Sequence, residues 1–245
     1  MTIEGWTSDR LLGGRLVVRQ PAGGYRIAID PLLLQAAVEV GCGARVLDLG
    51  AGVGGATLPL AWRRPDLEVV GLEREPALAA ALAHNAADNR LDDRIAVVVG
   101  DVSCPPFPAA AFEAVITNPP YLAARRATSP RTVLGRRARQ EASLPLAGWL
   151  QAAAALVRPG GTLGVVHRAD RMDELIAALA GHGGIEVMPL WPTVGRAAGR
   201  VLLRVRIGRR RPCRLLPGLV LHRDDGHFTA EAERILRGAA ALAWE

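Results

Sequence analysis

Short apolar runs alternate with longer amphipathic segments through the middle of the chain. Runs with the length and composition of buried strands occupy residues 45–49, 68–72, 95–99, 112–117 and 162–166. Segments of helical period lie between them, at residues 57–62, 76–87 and 146–157. Strands that alternate with helices in this way predict an α/β fold with a mostly parallel sheet and helices on both faces.

Smaller elements are predicted at both ends of the chain. Residues 185–207 have the pattern of a terminal strand pair, which brings the predicted sheet to seven strands. Residues 11–27 predict a short hairpin with a Gly-Gly pair near its end. Residues 215–221 and 229–242 predict an added strand and helix at the C-terminus.

Polar residues follow the predicted strands at the positions where a parallel sheet presents its functional groups. The first strand runs into a loop with glycine at positions 50, 52 and 54, which permits a tight turn with outward-facing backbone amides. Glu73, Asp101 and Asn118 follow the next three strands. Because the carboxyl ends of parallel strands meet at one edge, we expect these groups to form one site.

The glycine loop and the acids around it predict a pocket for S-adenosylmethionine. A helix N-terminus behind the loop suits the carboxylate of the methionine moiety, and Asp48 can accept from its ammonium group. Glu73 can bind the ribose diol, and Asp101 can accept from the adenine amino group beside the apolar edge of Val102. The predicted cofactor residues are Asp48, Gly50, Gly52, Gly54, Glu73, Asp101, Val102 and Asn118.

The sequence Asn118-Pro119-Pro120-Tyr121 predicts a clamp for a planar amine. Two prolines stiffen the turn, so that the Asn118 side-chain oxygen and the Pro119 carbonyl can accept both hydrogens of an exocyclic amino group. Tyr121 can stack on the flat group that carries the amine. These four residues are the predicted catalytic residues, and the fold is predicted to be a Rossmann-like methyltransferase fold.

Both motifs resemble the amino-methyltransferases that modify adenine-N6, guanine-N2 or glutamine-N5. Residues 25–34, with the sequence Tyr-Arg-Ile-Ala-Ile-Asp-Pro-Leu-Leu-Leu, resemble the pocket-closing segment of the bacterial valine-tRNA adenine-N6 methyltransferase family. Residues 219–233 resemble the C-terminal signature of that family. The resemblance implies that Asp30 lies near the methyl donor, that residues 118–121 hold the target adenine, and that the substrate is tRNA.

Arginine supplies all 30 basic residues and is concentrated in two stretches. Residues 114–140 contain six arginines and residues 187–223 contain nine, and neither stretch contains an acidic residue. Such asymmetry favours a polyanionic partner. The residues expected to contact phosphate groups of the RNA are Arg125, Arg126, Arg136, Arg137, Arg209, Arg210 and Arg211.

The composition predicts one cytoplasmic domain without a metal site or a membrane segment. Half of the 245 residues are apolar, and no apolar run approaches the ~18–20 residues of a membrane span. The three cysteines are far apart and form no metal-ligand cluster. We divide the chain into an N-terminal hairpin and pocket-closing segment at 1–44, a catalytic core at 45–210 and a C-terminal extension at 211–245.

Several alternatives share parts of this pattern. A glutamine-N5 methyltransferase that acts on a release factor and a guanine-N2 rRNA methyltransferase would use the same clamp. Gly50, Gly52 and Gly55 also satisfy the dinucleotide pattern, which leaves an NAD-dependent oxidoreductase open. A non-catalytic nucleic-acid-binding module could retain the cofactor site. His84 and His167 are interpreted as structural, with His167 at a strand end away from the first three strands, and Trp149 as a core or cleft-edge packing residue.

Overall fold

The apolar runs form strands and the amphipathic segments form helices, close to the predicted boundaries. A computed structural model describes residues 5–23, 26–121 and 144–244. The strands are β1 (Trp6–Leu11), β2 (Leu16–Pro21), β3 (Arg45–Leu49), β4 (Glu68–Glu73), β5 (Ile95–Val99), β6 (Phe112–Thr117), β7 (Val157–Arg168), β8 (Gly183–Trp191), β9 (Arg200–Ile207), β10 (Arg214–Leu215) and β11 (Leu219–Val220). The α-helices are α1 (Ile29–Ala36), α2 (Thr57–Arg63), α3 (Pro76–Asp88), α4 (Leu146–Leu156), α5 (Met172–Leu179) and α6 (Ala230–Leu236).

The seven long strands of the main sheet lie in the order β5-β4-β3-β6-β7-β9-β8. The strands from β5 to β7 pair in parallel, whereas β9 is antiparallel to both β7 and β8. The short strands β10 and β11 pair with β8 and bring the sheet to nine strands. The predicted mostly parallel, seven-stranded sheet is confirmed, with two two-residue strands added from the C-terminal extension. We call the edge at which β3 to β7 end the carboxyl edge.

Helices cover both faces of this sheet. Neighbouring residues of β3 contribute to different apolar clusters, because successive side chains of a strand point to opposite faces. Val46 packs in the cluster that includes Leu58 of α2 and Leu82 of α3, and Leu47 packs in the cluster that includes Leu150 of α4. All five side chains are fully buried. Since both faces are covered, the carboxyl edge is where polar groups of the parallel strands reach solvent.

The N-terminal hairpin lies earlier in the chain than predicted. Its strands β1 and β2 span residues 6–21 rather than the predicted 11–27, and its turn lies at Leu12–Gly14. Gly13 and Gly14 both have positive φ, so this earlier glycine pair satisfies the turn. Residues 29–36, which the sequence did not predict as a helix, form α1 with Pro31 in its first turn, where a missing amide proton costs little.

Two asparagines, one on α3 and one immediately after it, hold the hairpin beside the glycine loop. Asn85 accepts from the Arg19 amide at 2.8 Å and donates to the carbonyls of Arg19 and Val53, each at 3.0 Å. Asn89 pairs in the same way with the backbone of Val17. Since Val53 belongs to the glycine loop, this contact fixes the N-terminal segment against the core. In the described part of the chain, no helix has the length and apolar character needed to cross a bilayer.

Candidate active site

The glycine loop is anchored to the neighbouring strand and requires its glycines. The amides of Gly50 and Ala51 both donate to the carbonyl of Leu72 at 2.9 Å. The φ angles of Gly50, Gly52 and Gly54 are +83°, +57° and +100°, values that side chains rarely allow. A Cβ at Gly50 would lie 2.9 Å from the Trp149 ring, whereas at Gly52 it would meet nothing within 4 Å. The loop therefore packs tightly against Trp149 at Gly50 and is open at Gly52, where a ligand can approach.

Two carboxylates lie beside this loop in an environment that favours a cationic ligand. Asp48 is buried and accepts a hydrogen bond from Thr57 Oγ1 at 2.6 Å. Burial, together with the charge of Glu73, raises the Asp48 pKa to about 6. Glu73 accepts from the amides of Gly52 and Glu75, each at 2.8 Å, and its pKa is also raised by burial. The ammonium and sulfonium groups of S-adenosylmethionine fit such a pair of acids.

Asp101 lies at the end of β5, next to Glu73. One of its oxygens accepts from both the amide and the hydroxyl of Ser103 at 2.7 Å, and these bonds hold its pKa below the usual range. Its other oxygen lies 3.7 Å from Arg74 Nη1. The Gly100 amide donates to the Glu73 carbonyl at 3.0 Å, and Val102, the residue after Asp101, is buried. The predicted cofactor acids are thus brought together along one edge, and Asp101 also forms a turn.

The clamp residues follow β6 and are tied to the glycine loop through their neighbour. Thr117 Oγ1 donates to the Leu49 carbonyl at 2.7 Å and accepts from Trp149 Nε1 at 2.8 Å. Trp149 therefore contacts both Thr117, the residue before the clamp, and Gly50 of the glycine loop. The Asn118 side-chain oxygen and Pro119 are buried, and Pro120 is exposed. Thr117 and Trp149 connect the two motifs, a role that sequence reasoning missed because it depends on the contact between β3 and β6.

Tyr121 is held by side chains from three distant segments. Its hydroxyl donates to Asp30 Oδ2 at 2.6 Å, and Arg200 Nε donates to the same oxygen at 3.1 Å. The guanidinium of Arg200 lies 5.0 Å from the centre of the Tyr121 ring. The His167 ring meets it edge-on, with centres 5.0 Å apart and planes at 78°. Asp30 therefore lies at the clamp, bonded to Tyr121.

Arg200 and His167 are the site residues that the sequence did not identify. His167 was placed away from the site, but β7 lies next to β6, so its end reaches Tyr121. Arg200 is the first residue of β9, paired with Arg168 at the same edge. An antiparallel strand begins where its parallel neighbours end, so β9 contributes its first residue rather than its last. No motif in the sequence marks this reversal.

The arginines expected to bind RNA divide into two groups. Arg125, Arg126, Arg136 and Arg137 lie outside the described residues. Arg209, Arg210 and Arg211 are exposed and follow β9 at the amino end of the sheet, opposite the carboxyl edge. The length of β9 separates them from Arg200 by about 23 Å at a rise of ~3.3 Å per residue. In the described ranges, no group of three or more metal-ligating side chains occurs.

Comparison with known proteins assigns the chain to a family. A family model described as methyltransferase small domain matches residues 29–180. A relative from Actinobacillus succinogenes named tRNA1(Val) (adenine(37)-N6)-methyltransferase is 30% identical over 184 residues, which are 73% of this chain and 75% of the relative. A relative of the same name from Porphyromonas gingivalis strain W83 is 31% identical over 166 residues, and the chain spans 64% of its length.

A solved structure supports the same assignment. A protein from Agrobacterium tumefaciens described as a predicted O-methyltransferase superposes with a TM-score of 0.73 at 28% identity, covering 87% of this chain and 98% of that one. The matched family region contains β3 to β7, the glycine loop and the clamp. The chain belongs to the methyltransferase small domain family, whose cofactor is S-adenosylmethionine, and within it to the family of the bacterial enzymes named tRNA1(Val) (adenine(37)-N6)-methyltransferase.

Proposed function

We propose that this protein transfers the methyl group of S-adenosylmethionine to the N6 amino group of an adenine in tRNA. The observation that carries the proposal is the connection between the two motifs. Thr117 and Trp149 join the loop that can hold the methyl donor to the clamp that can hold an amine. A donor pocket and an amine clamp at one edge of a sheet supply both reactants in fixed relative positions.

The donor pocket provides complementary groups for each part of the cofactor. Asp48 and Glu73 are buried acids beside the open face of Gly52, which suits an ammonium group and a ribose diol. Asp101 and Val102 offer a carboxylate oxygen and an apolar edge to the adenine ring. The cofactor supplies an electrophilic methyl group on a positive sulfonium. The residues of the chain orient it and exclude water behind the glycine loop.

The clamp activates the acceptor nitrogen without a strong base. An exocyclic amine is a poor nucleophile, because its lone pair is delocalised into the ring. When Asn118 and the Pro119 carbonyl accept its two hydrogens, the nitrogen becomes pyramidal and its lone pair turns toward the donor. Positive charge develops on this nitrogen during transfer, and both oxygens stabilise it most at that point. The methylated nitrogen then loses a proton to solvent.

The clamp chemistry favours nitrogen over oxygen as the acceptor. A hydroxyl group offers a single hydrogen and would leave one of the two clamp oxygens unused. Adenine-N6, guanine-N2 and glutamine-N5 each offer two hydrogens. The names of the bacterial relatives support adenine among these three. The two stretches that contain arginine but no acidic residue support an RNA substrate over a protein.

The acceptor is tested by incubating the enzyme with labelled S-adenosylmethionine and separate fractions of tRNA, rRNA and a glutamine-containing release-factor peptide. We expect label in tRNA, recovered as N6-methyladenosine after digestion. Asn118→Ala serves as the inactive control for contaminating methyltransferases. Label in rRNA as N2-methylguanosine, or in the peptide, would replace tRNA adenine with the corresponding acceptor.

We propose that the arginines of both arginine-rich stretches contact the RNA backbone. A base that enters the clamp must leave its stack, which costs a few kcal/mol, and phosphate contacts can offset that cost. Each phosphate contact of Arg125 or Arg126 should contribute about 0.7–0.9 to the slope of log affinity against log salt. Arg209, at the far end of β9, tests whether the RNA also reaches the amino end of the sheet. An unchanged slope in a neutralised variant would remove that arginine from the interface.

A further inference from the structure

We propose that Arg200 is a positioning residue for the target base, acting with Asp30 to fix the orientation of the Tyr121 ring. The inference rests on the proposed function, because it assigns a task to the platform on which the base would stack. It adds to the clamp two residues from segments before and after it in the chain. Each contact that supports the inference involves described residues.

Asp30 is the centre of the arrangement. Its side chain is 8% exposed, and its Oδ2 atom receives both the Tyr121 hydroxyl and Arg200 Nε. A buried carboxylate is costly unless it is paired and hydrogen-bonded. Arg200 supplies the opposite charge, and Tyr121 supplies a second donor. The three groups are therefore mutually dependent, and loss of the cation leaves Tyr121 bonded to an unpaired buried acid.

Arg200 restrains Tyr121 in a second way, through its planar face. The guanidinium lies over the ring at 5.0 Å from its centre, within the range of a cation–π contact. Its Nη1 atom donates to the Gly199 carbonyl at 3.0 Å, so the side chain is also tied to its own backbone. The strand β9 pairs along its whole length with β7 and β8, which makes Arg200 a rigid support. A lysine could replace the charge but not the planar stack.

His167 forms a further contact with the ring and adds no charge. It is fully buried, and burial lowers its pKa to about 4, so the imidazole is neutral at physiological pH. Its edge-on contact limits rotation of the Tyr121 ring from the side of β7. Tyr121 is thus held through its hydroxyl, one face and a neighbouring ring. A displacement of about 1 Å in a positioned group can cost on the order of 100-fold in rate, so such restraint has a catalytic consequence.

The experiment compares kcat, KM for tRNA, S-adenosylmethionine affinity and melting temperature in four variants: Arg200→Met, Arg200→Lys, Tyr121→Ala and the double variant Arg200→Met/Tyr121→Ala. We expect Arg200→Met to lower kcat by about 10-fold to 100-fold with cofactor affinity within about twofold. Arg200→Lys should recover part of the loss. In the Tyr121→Ala background, Arg200→Met should have little further effect, because the ring that it positions is gone.

Arg158→Met is the matched control, since Arg158 is an exposed arginine outside both arginine-rich stretches, and its side chain pairs with Glu113 rather than with the Tyr121 cluster. Its kcat at saturating tRNA should equal that of the parent. Normal kcat in Arg200→Met would overturn the inference. So would independent, multiplicative effects of Arg200→Met and Tyr121→Ala, which indicate a purely structural role.

A readout without catalysis separates this inference from the proposed function. The chain has two tyrosines, so a Tyr25→Phe variant labelled with 3-fluorotyrosine reports on Tyr121 alone. We expect the fluorine signal of the parent to show a restrained ring, and Arg200→Met to shift it toward the averaged signal of a freely rotating ring. An unchanged signal would refute positioning by Arg200, whatever substrate the enzyme methylates.

Discussion

The two halves of the carboxyl edge are built in different ways. On the side of β3, β4 and β5, acids at or just after the ends of the parallel strands collect around a glycine loop, and the local charge is negative. On the side of β6, β7 and β9, the clamp is surrounded by Asp30, His167 and Arg200, which come from three separate segments. The first half depends on local motifs, whereas the second depends on long-range packing. The acids of the first half suit a cationic donor, whereas the paired charges of the second half hold the Tyr121 ring in place.

The largest effect should come from breaking the clamp and leaving the donor side intact. Asn118→Ala removes one of two oxygens that accept from the amine, so methyl transfer should slow by about 10²-fold or more at saturating cofactor. Calorimetry should show nearly unchanged S-adenosylmethionine affinity. Asn89→Ala is the matched control, since Asn89 fixes the hairpin and its loss should lower stability rather than turnover. A normal kcat in Asn118→Ala would remove Asn118 from the clamp.

The glycine loop can be broken by a single methyl group. In Gly54→Ala, the new Cβ would lie 2.5 Å from Leu82 Cδ1 at a φ of +100°, and we expect a loss of about 2–3 kcal/mol in the free energy of unfolding. Gly43 has a φ of +71°, but the Cβ added in Gly43→Ala would meet nothing within 4 Å. This variant should therefore lose only about 1 kcal/mol in the free energy of unfolding. Urea titration measures both. Equal losses would show that backbone conformation, rather than packing against α3, makes Gly54 necessary.

Removal of Glu73 should weaken the donor side without changing the clamp. Its carboxylate holds the Gly52 amide and is available to a ribose diol, so Glu73→Ala should lower S-adenosylmethionine affinity by about 1–2 kcal/mol. The kcat at saturating cofactor should stay close to that of the parent. Glu75→Ala, two residues later, is the control and should leave the affinity unchanged. Unaltered affinity in a folded Glu73→Ala variant would exclude Glu73 from the cofactor pocket.

The buried acid of the donor side also predicts a pH dependence of cofactor binding. With the pKa of Asp48 raised to about 6, the free protein carries a protonated Asp48 at lower pH, and an ammonium group must then displace that proton. S-adenosylmethionine affinity should fall as the pH decreases through about 6, by roughly tenfold per unit below it. Asp48→Asn should bind more weakly, with this dependence removed. Calorimetry at pH 5 to 8 measures both, and equal pH profiles would contradict the assignment.

The same pKa shift has an opposite sign in folding. Because the folded-state pKa of Asp48 lies above its unfolded value, the folded protein binds more protons between about 3.8 and 6. The Asp48 contribution to stability therefore increases as the pH falls through this range. His167 acts in the other direction, since its pKa falls from 6.5 to about 4 on folding. Its contribution is present above pH 6.5 and is lost as the pH decreases toward 4.

The donor side was predictable because parallel strands all end at one edge. Once the strand ends were read from the apolar runs, Asp48, Glu73, Asp101 and Asn118 had to converge. The order of the strands was not needed for this. The hairpin was misplaced because the predicted range, 11–27, begins only at the last residue of β1, and the Gly-Gly pair at 13 and 14 forms its turn. The position of the hairpin depends on how β1 pairs with β2 and how β2 packs against α3, which no local pattern encodes.

The sequence by itself determined the alternating strands and helices, the glycine loop and the clamp, because each depends on residues that are neighbours along the chain. The tertiary structure alone decided which side chains surround Tyr121. Asp30 and Arg200 are 170 residues apart and form a hydrogen bond only because α1 packs across the sheet and β9 runs antiparallel between β7 and β8. A reversal of strand direction changes which end of the strand reaches the site, and that direction results from the packing of the whole sheet.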